Sequence, residues 1–451
     1  MQSHSFTRKL LTMNRMQSSR KAGWASLVGT TIEWYDFQIY GLSAAVVFST
    51  VFFPEVSTLA GTLASFAVFA LGFFARPLGG VIFGHFGDRA GRKQILLITL
   101  LLMGISTFAV GVIPSYDTIG VWAPILLVAM RLLGGIALGG EWGGAVLLSV
   151  EHAPPGKRGL YGALPQVGSP AGFLLATTVF AIVTTATGDA FDTWGWRIPF
   201  LLSGILVAVG LFIRLAVPET PVFAEMREKV QQKQAVPLVE VLRNHPKTVL
   251  LGIGAFAISS GGYYVYATYM VAYGKNDLGI AATTMLVGGI VFACCAIVGN
   301  LTSAAVSDRI GRRPVFLTMA LFTMLYAFPL FWLVETKVAV LIWIAQGIGG
   351  FANGSLYGLM GSLSAEMFEP HIRYTGASLG QQVSAGLVGG TTPMIVTAMV
   401  ASAGHSWPAP MWLALLAAVS LGCVLALPET YKKSITALGI AEGAPSESIR
   451  T

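Results

Sequence analysis

The sequence predicts an all-α membrane protein of twelve spanning helices, built as two related six-helix halves. Three observations predict it. Apolar residues fill 54% of the 451 positions and charged residues only 11%, whereas soluble domains carry about a quarter charged residues. Twelve apolar runs approach or exceed the ~20 residues that a bilayer crossing requires, six before a polar gap and six after it. Three landmarks of the first part also return in the second at nearly the same offset. The charged hairpin at Asp88–Lys93 recurs at Asp308–Arg313, Glu151 followed by Arg158 recurs as Glu366 followed by Arg373, and Pro218-Glu219-Thr220 recurs as Pro428-Glu429-Thr430.

The elements follow in order. Residues 1–22 are polar and basic, through Arg8, Lys9, Arg15, Arg20 and Lys21. The apolar run behind them is too long for a secretory signal and leads into another, so this segment reads as a cytoplasmic tail. The runs lie near 23–52, 60–83, 94–113, 119–149, 161–185 and 197–217, and then near 248–274, 279–304, 314–334, 338–365, 376–403 and 407–427. The first half is therefore expected at 23–218 and the second at 248–428. The gap at 219–247 holds Glu225, Arg227, Glu228, Lys229, Lys233, Glu240 and Arg243, which suits a cytoplasmic linker with a helical part. The tail at 429–451, rich at its end in Gly, Ala, Pro and Ser, is expected to be disordered.

Most of the 28 lysines and arginines fall in the N-terminal tail, in the loops after even-numbered runs and in the C-terminal tail. Only Lys275 and Lys337 occupy the opposite loops. This asymmetry places both termini in the cytoplasm, and it accounts for the net charge of +7 without a nucleic-acid partner. Cys294, Cys295 and Cys423 sit in apolar runs and the six histidines are scattered, so no disulfide framework, metal or cofactor site is indicated. No phosphate-binding GxxxxGK[ST] loop is present, which argues against an ATP-driven pump. No nucleophile–base pattern supports an enzyme.

Ionisable residues inside a membrane helix are costly and demand a reason. The first half contains Glu33, Asp36, Arg76, Arg131 and Glu141, whereas the apolar cores of runs seven to twelve contain no Asp, Glu, Lys or Arg. From the helical rise, Glu33, Arg76 and Glu141 lie at roughly 12–17 Å from the inner edge. Asp36 and Tyr40 continue the Glu33 face of the first helix. Three carboxylates meet two permanently charged guanidiniums, so one acid lacks a full partner and is the expected proton carrier. Glu33, Asp36 and Glu141, with Arg131, are thus the proton-coupling candidates; the alternative is a structural network that fixes helix packing. Arg76 offers a bidentate fork to a carboxylate, with Arg197 behind it.

The second half contributes neutral groups. Tyr266, Tyr269 and Tyr273 follow an i, i+3, i+7 stripe after Tyr263 and Tyr264, beside Gly261-Gly262, and are expected to line a cavity. Asn300, Gln346, Asn353, Tyr357, Gln381 and Gln382 are further intramembrane polar groups, and Gln166 is their counterpart in run five. The candidate solute contacts are Arg76, Tyr40, Gln166, Tyr263, Tyr266, Asn300, Asn353, Tyr357 and Gln381. Asp88, Arg89, Arg92, Glu151 and Arg158, with Asp308, Arg312, Glu366 and Arg373, are expected to form a cytoplasmic ion-pair gate. Such pairs are worth ~0.2–1 kcal/mol each when exposed.

Several stretches together carry a resemblance. They are Glu33-Trp34-Tyr35-Asp36-Phe37, Phe74-Ala75-Arg76-Pro77-Leu78-Gly79-Gly80, the Gly84–Lys93 hairpin, Arg131 through Gly144, and Trp194-Gly195-Trp196-Arg197-Ile198-Pro199-Phe200. The chain resembles the major facilitator superfamily, and within it the metabolite:proton symporters, over nearly its whole length. In the second hairpin Ala304 replaces the glycine at 84, so that helix contact is expected to be looser. The resemblance implies a monomeric inner-membrane symporter that moves a small organic acid, shikimate-like or another small carboxylate, together with protons. It implies that arginines at sites such as Arg76 bind acidic solutes. The alternatives are a proline/betaine symporter, a proton/drug antiporter, or a receptor of the same fold.

Overall fold

The computed structural model describes residues 27–80, 82–83, 92–139, 149–150, 153, 156–216, 237–369 and 372–429. All regular structure among them is helical. Helix α1 covers residues 27–52 with a turn at Val47. It is followed by α2 (Thr58–Gly80), α3 (Arg92–Val112), α4 (Trp122–Leu138), α5 (Arg158–Phe191) and α6 (Arg197–Ala216). A short helix, Pro237–Asn244, precedes the second set. That set is α7 (Pro246–Asp277), α8 (Ala282–Ile310), α9 (Arg312–Glu335), α10 (Ala339–Met367), α11 (Arg373–Ala403) and α12 (Pro408–Ala426). These are the twelve spans of a two-half membrane bundle, as the sequence predicts.

Local chemistry sets the helix ends. The Ser57 hydroxyl accepts the Ala60 N–H at 3.3 Å to cap α2, and Pro246 and Pro408 occupy first turns, where no amide hydrogen is needed. Between α8 and α9 the chain turns at Gly311 with φ 106°, a value that requires glycine. Outward-facing positions carry apolar side chains such as Phe212, Leu250 and Trp332, which suit lipid contact because the helices satisfy their own backbone.

With lipid outside, apolar burial does little to drive helices together, and close packing must do so. Two glycine seams supply it. A Cβ on Gly79 would sit 1.8 Å from the Ile136 carbonyl oxygen, and one on Gly139 1.9 Å from that of Arg76, so α2 and α4 touch backbone to backbone. In the second half, a Cβ on Gly354 would meet the Ala296 oxygen at 2.1 Å and one on Gly299 the Phe351 oxygen at 2.2 Å, joining α8 to α10. These are equivalent helix pairs in the two halves, so the duplication seen in the charged landmarks also appears in the packing.

The halves meet along α5 and α8, where Phe173 packs edge-on against Phe292 with ring centroids 6.0 Å apart. At the end carrying Asp308 and Arg312, the Asp308 carboxylate accepts the Gly159 and Leu160 N–H groups at 2.7 and 3.0 Å. It thereby caps the start of α5 from the other half. This contact is tight where the sequence suggests a loose one. Ala304 is fully buried, and a Cβ on Gly159 would lie 2.6 Å from its carbonyl oxygen. The missing side chain belongs to Gly159, on the opposite half, so a methyl group at position 304 costs no proximity.

Candidate functional site

Where α1, α2 and α5 face α7, α10 and α11, the halves enclose a central cavity. Trp34, Phe73, Arg76 and Ser169 line it from the first half, and Ser259, Ser260, Tyr263, Tyr264, Tyr357, Gln381 and Ala385 from the second. Its free volume is about 30 Å³, enough for about one water. An organic solute therefore enters only when the halves part.

Unspent hydrogen-bonding groups gather here. The Arg76 Nε and Nη2, the Ser259 and Tyr264 hydroxyls and the Gln381 Oε1 are buried without a partner. Buried polar groups are otherwise nearly always satisfied, so a cluster of orphans around one cavity points to a ligand. The Arg76 guanidinium rests against aromatic rings, 4.4 Å from the Phe37 centroid and 4.4 Å from that of Phe73. Ring faces attract a cation without occupying its in-plane N–H donors. Arg76 therefore keeps its fork available.

The proton-coupling candidates lie beside this cavity. Asp36 is 2% exposed, and neither carboxylate oxygen has a hydrogen-bond partner. Glu33 is buried one turn earlier. Arg131 donates from Nε and Nη2 to the Phe69 carbonyl, both at 3.4 Å, and packs over Phe37 at 4.0 Å and Tyr40 at 4.4 Å. Gly72 makes room for it, since a Cβ there would stand 2.4 Å from the Arg131 Nε. Glu141 lies outside the described residues.

The other candidate solute contacts divide. Tyr263, Tyr357 and Gln381 line the cavity with Arg76. Gln166 donates to the Tyr357 carbonyl at 3.4 Å across the halves. Tyr40 lies under Arg131, Tyr266 stacks on Phe292 at 5.2 Å, and Asn300 packs against Gly358 of α10; none of these three lines the cavity. Asn353 is turned to the backbone of α7. That helix contains π turns at Ile258–Gly262, Val265–Tyr269 and Tyr273–Asp277, and α11 has one at Ala385–Gly390. A π turn breaks the i→i−4 ladder and is often found at functional sites. Asn353 donates to Ile258 O and Gln346 to Tyr266 O, both at 3.5 Å. Ser420 Oγ accepts the Ile258 N–H at 2.9 Å and donates to Gly254 O at 2.7 Å. These polar groups support the irregular backbone that presents Ser259, Ser260, Tyr263 and Tyr264. Arg197 is likewise engaged, donating to the Ile113 carbonyl at 2.5 Å and to Gly111 O at 3.3 Å, at the C-terminal end of α3.

Sequence reasoning missed Gln38, Ser169, Ser259 and Ser260. Gln38 donates to the Tyr263 hydroxyl at 2.9 Å, linking α1 to α7. A signal existed for two of the four: Gln38 is an amide in mid-span, and Ser169 follows Gln166 by about one turn.

At the charged end, Arg312 reaches Asp308 at 2.8 Å and Glu366 at 3.2 Å. The sequence reading valued such pairs as exposed, but Arg312 is 2% exposed and the Glu366 side chain 0%. Breaking one partner of a buried pair costs about 3–5 kcal/mol. Glu429 accepts the Arg312 and Arg313 backbone N–H groups at 3.1 and 2.9 Å, capping α9. Arg373 donates to the Phe368 carbonyl at 3.4 Å, and Arg158 is half-buried at the start of α5. Asp88, Arg89, the Arg92 side chain and Glu151 lie outside the described residues.

Two six-helix halves closed around one polar cavity define a membrane transporter of the major facilitator type, and not an enzyme. The chain belongs to the sugar (and other) transporter family, whose sequence model matches residues 22–248 and 223–439. It is similar to the shikimate transporter of Escherichia coli K12, 39% identical over 87% of this chain and 90% of that one. It is 37% identical to the inner membrane metabolite transport protein YhjE of the same strain, over 93% and 96% of the two chains. The proline/betaine transporter of that strain is 35% identical over 92% of this chain and 85% of that one. Among solved structures, a D-xylose-proton symporter superposes with a TM-score of 0.71 at 20% identity, covering 91% of this chain and 98% of that one.

Proposed function

We propose that the chain is a proton-coupled importer of a small organic acid, shikimate-like or another hydroxylated carboxylate, working as a monomer by alternating access. The observation that carries this reading is the unengaged fork of Arg76, aimed into a cavity rimmed by serine and tyrosine hydroxyls and by Gln381. The guanidinium binds the carboxylate, and the hydroxyls and amide take the remaining polar groups. Asp36 carries the proton, with Glu33, Glu141 and Arg131 setting its surroundings. Residues 23–218 and 248–428 rock against each other through the linker at 219–247. The charged end faces the cytoplasm by the positive-inside rule, with both termini there, in the bacterial inner membrane. The buried Asp308–Arg312–Glu366 cluster then holds the cytoplasmic side shut until the halves rock.

A second reading is a zwitterionic osmolyte such as glycine betaine. Trp34, Tyr263 and Tyr264 at the cavity offer ring faces suited to a quaternary ammonium, while Arg76 holds the carboxylate. One experiment tests both: uptake of shikimate, small mono- and dicarboxylates and betaine into proteoliposomes, with and without an imposed pH gradient. Shikimate accumulation that rises with an acidic exterior is expected. Uptake indifferent to the gradient overturns the proton coupling, and transport of betaine alone selects the second reading.

A further inference from the structure

Gln38 stands behind the cavity wall. Its Nε2 donates to the Tyr263 hydroxyl at 2.9 Å across the two halves, and the residue is 1% exposed. Its Oε1 is buried without a partner, and the amide also lies beside Tyr264. Tyr263 lines the cavity, as does Ser169 of α5, which meets the same Tyr263 hydroxyl. The Tyr263 ring is packed edge-on by Phe173 at 5.9 Å, Phe292 at 5.8 Å and Tyr264 at 5.0 Å. Close packing of this kind fixes the phenol oxygen, and the direction of the O–H is the freedom that remains.

A phenol has one hydrogen to donate and two lone pairs with which to accept, whereas an amide nitrogen only donates. The Gln38 bond therefore fills one lone pair of Tyr263 and leaves its hydrogen unused. Tyr263 and Ser169 hold two hydroxyl hydrogens and can share no more than one between them. At least one O–H is thus left to donate into the cavity, from helices other than that of Arg76. The bond from Gln38 also polarises the phenol and strengthens it as a donor. A solute held by its carboxylate at Arg76 meets a second demand here, for an oxygen that accepts. A solute without one leaves a buried donor unpaired, and sites of this kind reject such analogues.

We propose that Gln38 is a positioning residue that fixes the Tyr263 hydroxyl as a donor, so that the cavity selects carboxylates carrying a second hydrogen-bond acceptor. The inference rests on the organic-acid reading above and not on its proton coupling. Because the bond joins α1 to α7, the selection is made with the halves closed.

The test uses the full-length protein in proteoliposomes, with radiolabelled shikimate, cyclohexene carboxylate (the same ring acid without hydroxyls) and glycine betaine as probes. Exchange is measured without a pH gradient, and the quantity read is the preference, the ratio of half-saturating concentrations of the two ring acids. The parent is expected to favour shikimate by about tenfold or more. Gln38→Met and Gln38→Leu each remove the donor together with the unpartnered Oε1, and each should reduce the preference by about threefold or more. Tyr263→Phe should reduce it at least as far, and adding Gln38→Met to Tyr263→Phe should change it no further, because Gln38 acts through that hydroxyl. A merely structural role would weaken both acids alike and leave the ratio where it was, which overturns the inference. An effect of Gln38→Met that persists in the Tyr263→Phe background overturns it too, as does a parent that takes both acids equally. A parent that exchanges neither acid, or betaine alone, removes the organic-acid reading and the inference with it, and that result is distinguishable because it appears before any substitution.

Discussion

The Lys275 ammonium donates a 2.7 Å hydrogen bond to the Val46 carbonyl, joining α7 to α1 across the two halves at the end opposite Asp308 and Arg312. The acceptor is available because α1 breaks there: Thr50 N–H bonds to Val47 O instead. Lys275 is half-buried, so its loss is expected to cost about 1 kcal/mol, a roughly fivefold shift in a two-state equilibrium. Lys275→Met should therefore open this end more often. A Thr268→Cys probe, placed where α7 meets Gly41, should label about fivefold faster with the native cysteines replaced. An unchanged rate would show that the bond does not hold the halves.

Arg76 is expected to need its fork and not merely its charge. Arg76→Lys keeps the cation but loses the paired N–H donors, and a charged hydrogen bond is worth about 1.5–3 kcal/mol. The half-saturating concentration for a carboxylate solute should rise about tenfold or more, with the membrane level of protein unchanged. Equal uptake by the Lys variant would remove the bidentate role.

Asp36→Asn should exchange solute but not accumulate it. The amide preserves shape and cannot bind or release a proton, so the coupled step is lost while the halves still rock. Glu33→Gln, measured beside it by counterflow and by gradient-driven uptake, separates the two acids of α1. Full accumulation in both variants would clear α1 of the proton role.

Gly159→Ala should act in the opposite sense to the lysine variant. The added methyl collides with the Ala304 carbonyl, the Ser307 hydroxyl and the Asp308 carboxylate, at 2.6, 2.7 and 2.9 Å. Overpacking of this kind costs about 1–3 kcal/mol, and it is incurred only when the charged end is closed. Uptake should fall, and the Thr268→Cys probe should label more slowly, because the protein rests with its charged end open. Faster labelling would show that α5 and α8 part in some other way.

The spans, the duplication and the buried place of Arg76 at the cavity are legible in the sequence because each rests on composition or on a charge placed in an apolar run. The use of the tyrosines was not. The i, i+3, i+7 spacing of Tyr266, Tyr269 and Tyr273 assumes 3.6 residues per turn throughout. The π turns of α7 each lengthen a turn by a residue, so the register drifts. Tyr263 and Tyr264 reach the cavity, while Tyr269 and Tyr273 stack on each other at 5.7 Å. Asn353 and Gln346 were hidden for the same reason, since an amide that repairs an irregular backbone looks identical in sequence to one that greets a solute. Ala304 misled differently: a contact is set by both surfaces, and the space was made at Gly159.

The backbone contact along Gly79 and Gly139, repeated along Gly299 and Gly354, limits how this molecule can deform. Helices without space for even one methyl group between them have no room to slide, so α2 and α4 travel as a single plank, and α8 and α10 as another. Compliance must then reside in α7 and α11, where the ladder is already interrupted. Spin labels on α2 and α4 should keep one separation through the whole cycle, whereas a pair on α4 and α11 should report two.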